Sequence, residues 1–411
     1  MRETWKKILL KDACKVFADG DWIESKDQSS DGIRLVQTGN IGFGYFKDKE
    51  DKSRFISEET FLRLKCTEIL PGDLLVSRLP DPVGKSCIIP EINSKMITGV
   101  DCTIIRPNDN LSSEFLCYYQ MSNQYLKDVQ SGVSGATRQR ISRKNLGLIE
   151  IPLPPISVQQ SIVAILDDAF AAIDRAKANA EQNLKNAKEL FESYLQGAFE
   201  NKGEGWEEKT LGQLSERVSV GHVGPTSQFY CDPKVGVPFI RSQNVRSGNL
   251  DWKGIQYITK EFHQKLKKSQ LKIGDILFVR VGANRGDCCI LKENIVDLNC
   301  ANIVFARLKE GNVDFIDRFC QSPIGRKQLL GMSVGAAQGV INTKSVAELI
   351  IPYPPIKEQQ SIVDKIAILS AEIQKLEAIY QQKLNDLEEL RKSVLQKAFN
   401  GELTGKKEIV A

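Results

Sequence analysis

The side chains best suited to chemistry on a partner are amide and guanidinium groups placed just beyond apolar runs. Gln37, Thr38 and Asn40 follow Ile33-Arg-Leu-Val, and Arg241, Ser242, Gln243 and Asn244 follow Val237-Pro-Phe-Ile. An amide side chain holds adenine by two hydrogen bonds, and arginine does the same for guanine. The competing assignment is a turn whose Asn or Ser satisfies its own backbone. Arg78 and Arg280 also end apolar runs, and the loops after them carry Lys85, Asn284 and Arg285. Base or phosphate contact competes there with surface ion pairing. A third loop, Gly135-Ala-Thr137-Arg138-Gln139-Arg140, joins flexible backbone to two cations and an amide. Its counterpart, with Gln338 and Asn342, keeps glycines and amides and loses the cations. A plain hairpin is the alternative for both. Phe43, Tyr45 and Trp252 read as packing groups rather than base-stacking ones.

Catalytic signatures fail one by one. Gly84-Lys85-Ser86 resembles the end of a phosphate loop, but the glycine needed five positions earlier is Leu79. Pro-Tyr-Pro-Pro at 352–355 is not the Asn/Asp-Pro-Pro-Tyr/Phe signature with which amino-methyltransferases hold a target amine. Pro80-Asp81 opens no nuclease motif, because no acidic-x-Lys strand follows. His222 and His263 are the two histidines, in non-repeated positions, so neither a nucleophile–base pair nor a zinc site is expected. The ten cysteines form no C-x-x-C pair and read as reduced, mostly buried thiols of a cytoplasmic protein. No catalytic residue, metal or cofactor is expected in this chain.

A repeat organises everything else. IPLPPI at 151–156 recurs as IPYPPI at 351–356, QQSIV at 159–163 recurs at 359–363, and Leu195-Gln-Gly-Ala-Phe199 recurs as Leu395-Gln-Lys-Ala-Phe399. The fifty-residue blocks 151–200 and 351–400 share 22 identities without a gap. The blocks ahead of them correspond more loosely, as in Leu70-Pro-Gly-Asp73-Leu-Leu against Lys272-Ile-Gly-Asp275-Ile-Leu. The period is far longer than a solenoid unit, so a whole module has been duplicated.

Each constant block reads as one long helix after its Pro-Pro pair, with Ser157 as a cap for the first. A coiled-coil seam runs through Ile162, Leu166, Ile173, Leu184 and Leu190, and again through Ile362, Ile366, Ile373, Leu384 and Leu390. About 40 residues at ~1.5 Å each give ~60 Å, long enough to need a partner. The better partner is the other copy, antiparallel, under a pseudo-two-fold symmetry; the competing assignment is that each helix packs only on its own domain. Gln159, Gln160 and charged residues read as outward faces open to other subunits.

The chain of 411 residues, with 41% hydrophobic and 26% charged side chains, is globular rather than disordered. Short β-branched runs between Gly, Pro, Asn and Asp, with helices over 114–129 and 314–330, make each variable block α+β. The expected domains are 1–150, 151–200, 201–350 and 351–411. A net charge of +4 is too small to argue nucleic-acid binding from composition. Lys and Arg against Asp and Glu number 22 and 21 in 1–150, and 21 and 15 in 201–350, so the second variable block is the basic one. Met1-Arg-Glu-Thr-Trp-Lys-Lys lacks a signal-peptide core, and no run of about 18 apolar residues is seen, so no membrane span is expected.

Taken together, the IPLPP and IPYPP motifs with Gln159-Gln160 and Gln359-Gln360, the Gly-Asp turns and the doubled helices resemble the specificity subunit of type I restriction–modification systems. The resemblance covers nearly the whole chain. It implies two target-recognition domains reading a bipartite, asymmetric site on double-stranded DNA, with a spacer set by the helices. It implies assembly with two methyltransferase subunits that use S-adenosylmethionine, and with endonuclease/translocase subunits that use ATP and Mg2+. The alternative is a coiled-coil scaffold linking two protein-binding domains.

Overall fold

The computed structural model describes residues 5–135, 137–331 and 339–403. It divides into two compact units that are not contiguous in sequence. The first holds residues 1–180 and 382–411, and the second holds 181–381. Each long helix therefore starts in one unit and ends in the other.

Both units are built the same way. In the first, Lys6–Leu9 pairs antiparallel with Glu150–Leu153, placing Ile8 opposite Ile151. In the second, Glu207–Thr210 pairs with Ile350–Tyr353, placing Lys209 opposite Ile351. This two-stranded clamp joins the start of each variable block to its end. The leading Ile-Pro of the duplicated motif is thus strand, and the Pro-Pro pair stops it. The helices Ile156–Glu200 and Ile356–Phe399 begin at once, so Pro155 caps the first helix and Ser157 lies inside its first turn.

Inside the clamp, the first unit has an antiparallel sheet in the order Cys14–Asp19, Cys102–Pro107, Leu74–Ser77, Ser86–Ile88. The second repeats it as Ser215–Val220, Ile303–Leu308, Ile276–Val279, Cys288–Ile290. A second sheet in each contains one parallel pair, Ile33–Val36 beside Met96–Thr98 and Val237–Arg241 beside Asn299–Ala301. The α+β expectation holds, and the single helices expected over 114–129 and 314–330 are each two. Ser122 caps the second of the first pair, and Pro323 interrupts the other run.

The duplicated motifs are framework. Asp73 receives Arg106 through two bonds of 2.8 Å and also accepts the Leu70 N–H. Asp275 receives Arg307 at 2.8 and 2.7 Å and accepts the Lys272 N–H. Gln159 is fully buried rather than outward-facing. Its Oε1 accepts from the Ser112 N–H at 2.9 Å, while its Nε2 donates to the carbonyls of Asn110 and Pro154. Gln359 repeats this with Asn312 N–H and the Pro354 carbonyl. Each amide ties a long helix to a variable block by satisfying backbone groups that burial would otherwise strand.

The Leu-Gln-x-Ala-Phe motif ends each helix in the core of the other repeat. Phe399 packs edge-on against Phe115 and Tyr119, with centroids 5.4 and 5.3 Å apart. Phe199 meets Phe315 and Phe319 at 5.3 and 5.4 Å. Within the first unit the two helical segments run antiparallel, since Asp174 pairs with Arg391 and Lys177 with Glu388. Ile162, Leu166 and Ile173 are buried there as expected, as are Ile366 and Ile373 in the second unit, while Leu184, Ile362 and Leu384 are half-buried. Leu190 and Leu390 are corrections, being 58% and 47% exposed. The α-helical period of 3.6 drifts off a strict heptad, and Phe191 and Arg391 take their places. Arg391 lies 4.2 Å above the Phe170 ring.

The first long helix also contains a stretch apolar and long enough, by composition, to cross a membrane, which the sequence reading did not anticipate. Its stripe of Ile162, Leu166, Phe170 and Ile173 lies in the first unit's core. Eight of the ten cysteines are buried. Burial pushes the Cys87 thiol up to about 12, which leaves it unreactive.

Two stability tests follow from this packing. Phe199→Ala should cost the second unit about 3–5 kcal/mol, read as a lower unfolding midpoint in denaturant. Burial pushes the Asp317 carboxyl up to about 6, from an ordinary value near 3.8. The fold therefore favours its protonated form, and its contribution is greatest below about pH 4 and lost by about pH 6. The stability difference between Asp317→Asn and the parent should move toward the variant by roughly 2–3 kcal/mol from pH 4 to pH 7. Denaturation at several pH values checks this, and a pH-independent difference contradicts it.

Candidate nucleic-acid interface

Where two parallel strands leave a sheet in the same direction, their ends open a cleft. In the first unit, Ile33–Val36 and Met96–Thr98 end in a cleft of about 230 Å3 whose lining includes Gln37, Thr38, Trp22 and Asp101. Asp101 connects this cleft to a cationic hairpin. Its carboxylate receives Arg138 at 3.1 Å and pairs with Arg140 at 3.4 Å. The hairpin pairs Val133 with Ile141 and Ser134 with Arg140. Gly135 has φ +99°, and a Cβ there would lie 2.4 Å from the Arg138 carbonyl oxygen, so only glycine closes this turn. The hairpin alternative is thus correct in form, and its tip still exposes Thr137, Arg138 and Gln139.

Arg78 is placed differently. It is 4% exposed, 3.2 Å from the Asp19 carboxylate, and donates to the Val100 carbonyl. Burial lowers its pKa, and Asp19 opposes that shift. Lys85 is half-buried and donates to the Asp81 carbonyl at 3.1 Å. Its pKa falls, first through burial and then through the Lys47 ammonium. Arg78 braces the hairpin from within, since its carbonyl accepts the Ile141 N–H at 3.2 Å.

The second unit carries the same turn with other side chains. Arg241 stands where Gln37 stands, because each backbone N–H donates at 3.0 Å to an asparagine three residues on, Asn244 or Asn40. Those asparagines also donate to the carbonyls of Lys47 and Asp251. The turn assignment therefore describes Asn40 and Asn244, while Gln37 lines the first cleft and half-buried Arg241 lies 5.9 Å from the Tyr230 ring centroid and 3.5 Å from the Gly254 carbonyl. Ser242 donates to the Asn302 carbonyl at 2.8 Å, and Gln243 is exposed. Arg280 donates to Ile341 and Arg285 to Gly339, so both brace the backbone of 339–341. Asn284 is exposed. Asn342 caps the helix Thr343–Ala347 by accepting the Ser345 N–H at 2.8 Å. Gln338 lies outside the described residues.

Two features escaped the sequence reading. Trp22 walls the first cleft, and its only sequence signal is a large apolar residue between Asp21 and Ile23 just past a strand. The basic excess of the second block gathers on Lys260, Lys265, Lys267, Lys268 and Lys272, all exposed and without an ion pair among the described residues. The corresponding stretch of the first unit sets Glu58, Glu59 and Glu68 against Arg63 and Lys65, and so carries no cationic excess. Among the described residues no cluster of His, Cys, Asp or Glu has the makings of a metal site.

The family model described as "Type I restriction modification DNA specificity domain" matches residues 2–186 and again 203–389. The type I restriction enzyme EcoKI specificity subunit of Escherichia coli K12 is 28% identical over 91% of this chain and 83% of its own length. The EcoBI specificity subunit of Escherichia coli is 28% identical over 74% of this chain and 68% of its own length. Among solved structures, the HsdS subunit of Thermoanaerobacter tengcongensis superposes with a TM-score of 0.64 at 18% identity, covering 98% of both chains. A chain from work on assembly of the type I R-M system reaches 0.77 at 18% identity, covering 98% of this chain and 99% of that one.

The geometry separates brace from surface. Arg78→Ala should remove a buried guanidinium from beside Asp19, which keeps Arg143 at 3.7 Å, and cost the first unit about 1–3 kcal/mol. Arg138→Ala, at an exposed ion pair, should change stability by less than about 1 kcal/mol. Thermal unfolding of the two variants distinguishes them, and equal midpoints would contradict the assignment.

Proposed function

The chain belongs to the type I restriction modification DNA specificity family, and from that premise we propose that its two repeats read the two halves of one split, asymmetric duplex target. Its role is DNA sequence specificity, the non-catalytic part of such an enzyme. The observation that carries the split target is a shared scaffold with unlike side chains at equivalent places. Gln37 and Arg241 occupy one turn position, and an amide suits adenine where a guanidinium suits guanine. The cationic hairpin of the first unit and the lysine cluster of the second supply phosphate attraction, which positions without specifying. The long helices set the number of unread base pairs between the half-sites.

Two methyltransferase subunits assemble on this chain, carrying S-adenosylmethionine and modifying adenine. Endonuclease/translocase subunits carry ATP and Mg2+. The site of action is the cytoplasm. The EcoKI and EcoBI relatives, named as restriction enzyme specificity subunits, support this reading.

Methylome sequencing of cells with and without the chain, alongside its methyltransferase, tests the proposal. A split, non-palindromic methylated motif should appear only with the chain. Gln37→Ala and Arg241→Ala should each relax one base pair, in different halves of the motif, at about 1–3 kcal/mol. A continuous or palindromic motif would sink the two-reader scheme. Absence of any motif, with both subunits present and folded, would favour the protein-binding scaffold.

A further inference from the structure

We propose that Trp22 and Val223 are equivalent apolar base contacts of the two recognition regions, each meeting the methyl group of a thymine in its own half-site; the inference rests on the DNA-reading function above. The equivalence is set by the backbone. In the first unit Gly20 N–H donates to the Cys102 carbonyl at 3.0 Å, and Asp21 N–H to Thr98 at 2.8 Å. In the second, Gly221 N–H donates to Ile303 at 2.8 Å, and His222 N–H to Cys300 at 2.8 Å. A Cβ on Gly20 would lie 2.4 Å from the Gly99 carbonyl oxygen, and one on Gly221 would lie 2.8 Å from that of Cys300. Both glycines let the chain press against the sheet before it turns outward. The next residue but one is Trp22 in one unit and Val223 in the other.

Both side chains are left in solvent, Trp22 69% and Val223 60% exposed. Trp22 is not idle surface. It walls the cleft that holds Gln37, Thr38 and Asp101, and Asp101 anchors Arg138 and Arg140. Its indole N–H donates to the Glu24 carboxylate at 3.3 Å, so the polar edge is engaged and the apolar face is the part on offer. That face stands beside the Gln37 amide and the Thr38 hydroxyl, with the Asp21 and Asp101 carboxylates also lining the cleft, so it matches a base-pair edge better than it matches a phosphate. Trp and Val share apolarity and not a ring, so stacking cannot be the common mode. The apolar group that a base edge presents in the major groove is the thymine methyl.

The test begins with selection from a random duplex library by the full chain assembled with its methyltransferase subunit. The selected duplex is then titrated with each thymine replaced by uracil, which deletes only the methyl group. One thymine in each half-site should weaken binding about four-fold when demethylated. Trp22→Ala should weaken binding at least as much and become indifferent to uracil at one of those positions. Val223→Ser should do the same in the other half-site. Melting temperatures of both variants should match the parent, since neither side chain is buried. Trp22→Ala binding as tightly as the parent overturns the inference, as does a variant that loses affinity yet keeps full sensitivity to uracil. In both cases a split target selected by the parent leaves the broader function standing. A parent complex that selects no sequence removes both.

Discussion

An amphipathic helix about 66 Å long cannot cover its apolar stripe with one small domain, and this constraint organises the molecule. The stripe of the first long helix is buried in the first unit through Ile162 and Leu166, and in the second through Leu195 and Phe199. The second helix does the converse, with Ile366 in the second unit and Leu395 and Ala398 in the first. Neither variable block has a complete core without a segment contributed by the other repeat. The buried amides of Gln159 and Gln359 then fix each helix to its own region, because a stranded amide in that interior costs more than either of its bonds gains.

The duplication made the framework legible before any coordinates. Proline pairs and a helical period recur at an offset of 200 and Gly-Asp turns at 202, and each proved to be strand end, arginine-locked turn or core helix. The Leu-Gln-x-Ala-Phe match was also visible, but its meaning was not. A sequence cannot say that Phe399 fills a space beside Phe115 and not one in its own repeat. The seam slipped at Leu190 and Leu390 because a strict heptad accumulates error against 3.6 residues per turn.

The interface was legible by residue type and less so by orientation. Arginine after an apolar run described both Arg78 and Arg138, yet one lies under the hairpin and the other on its tip. That distinction depends on which acid lies nearby in space, and Asp19 and Asp101 are distant in sequence from the arginines they hold. Asn40 and Asn244 spend their amide chemistry on their own turns. The positions that recur identically are scaffold, and those that recur in place but not in kind, such as Gln37 and Arg241, stand where a side chain can vary without disturbing the fold.

The crossed ownership of the helices reverses the order of maturation on the ribosome. Residues 181–381 form one uninterrupted stretch, so the second unit has all its parts once that stretch has emerged. The first unit has most of its chain earlier, yet lacks Leu395 and Ala398 of its core until the final helix is made. At roughly 5–20 residues per second, the two hundred intervening residues hold that core open for about 10–40 s. The portion translated first is thus completed last, and its unfinished apolar surface is what a nascent-chain chaperone would meet.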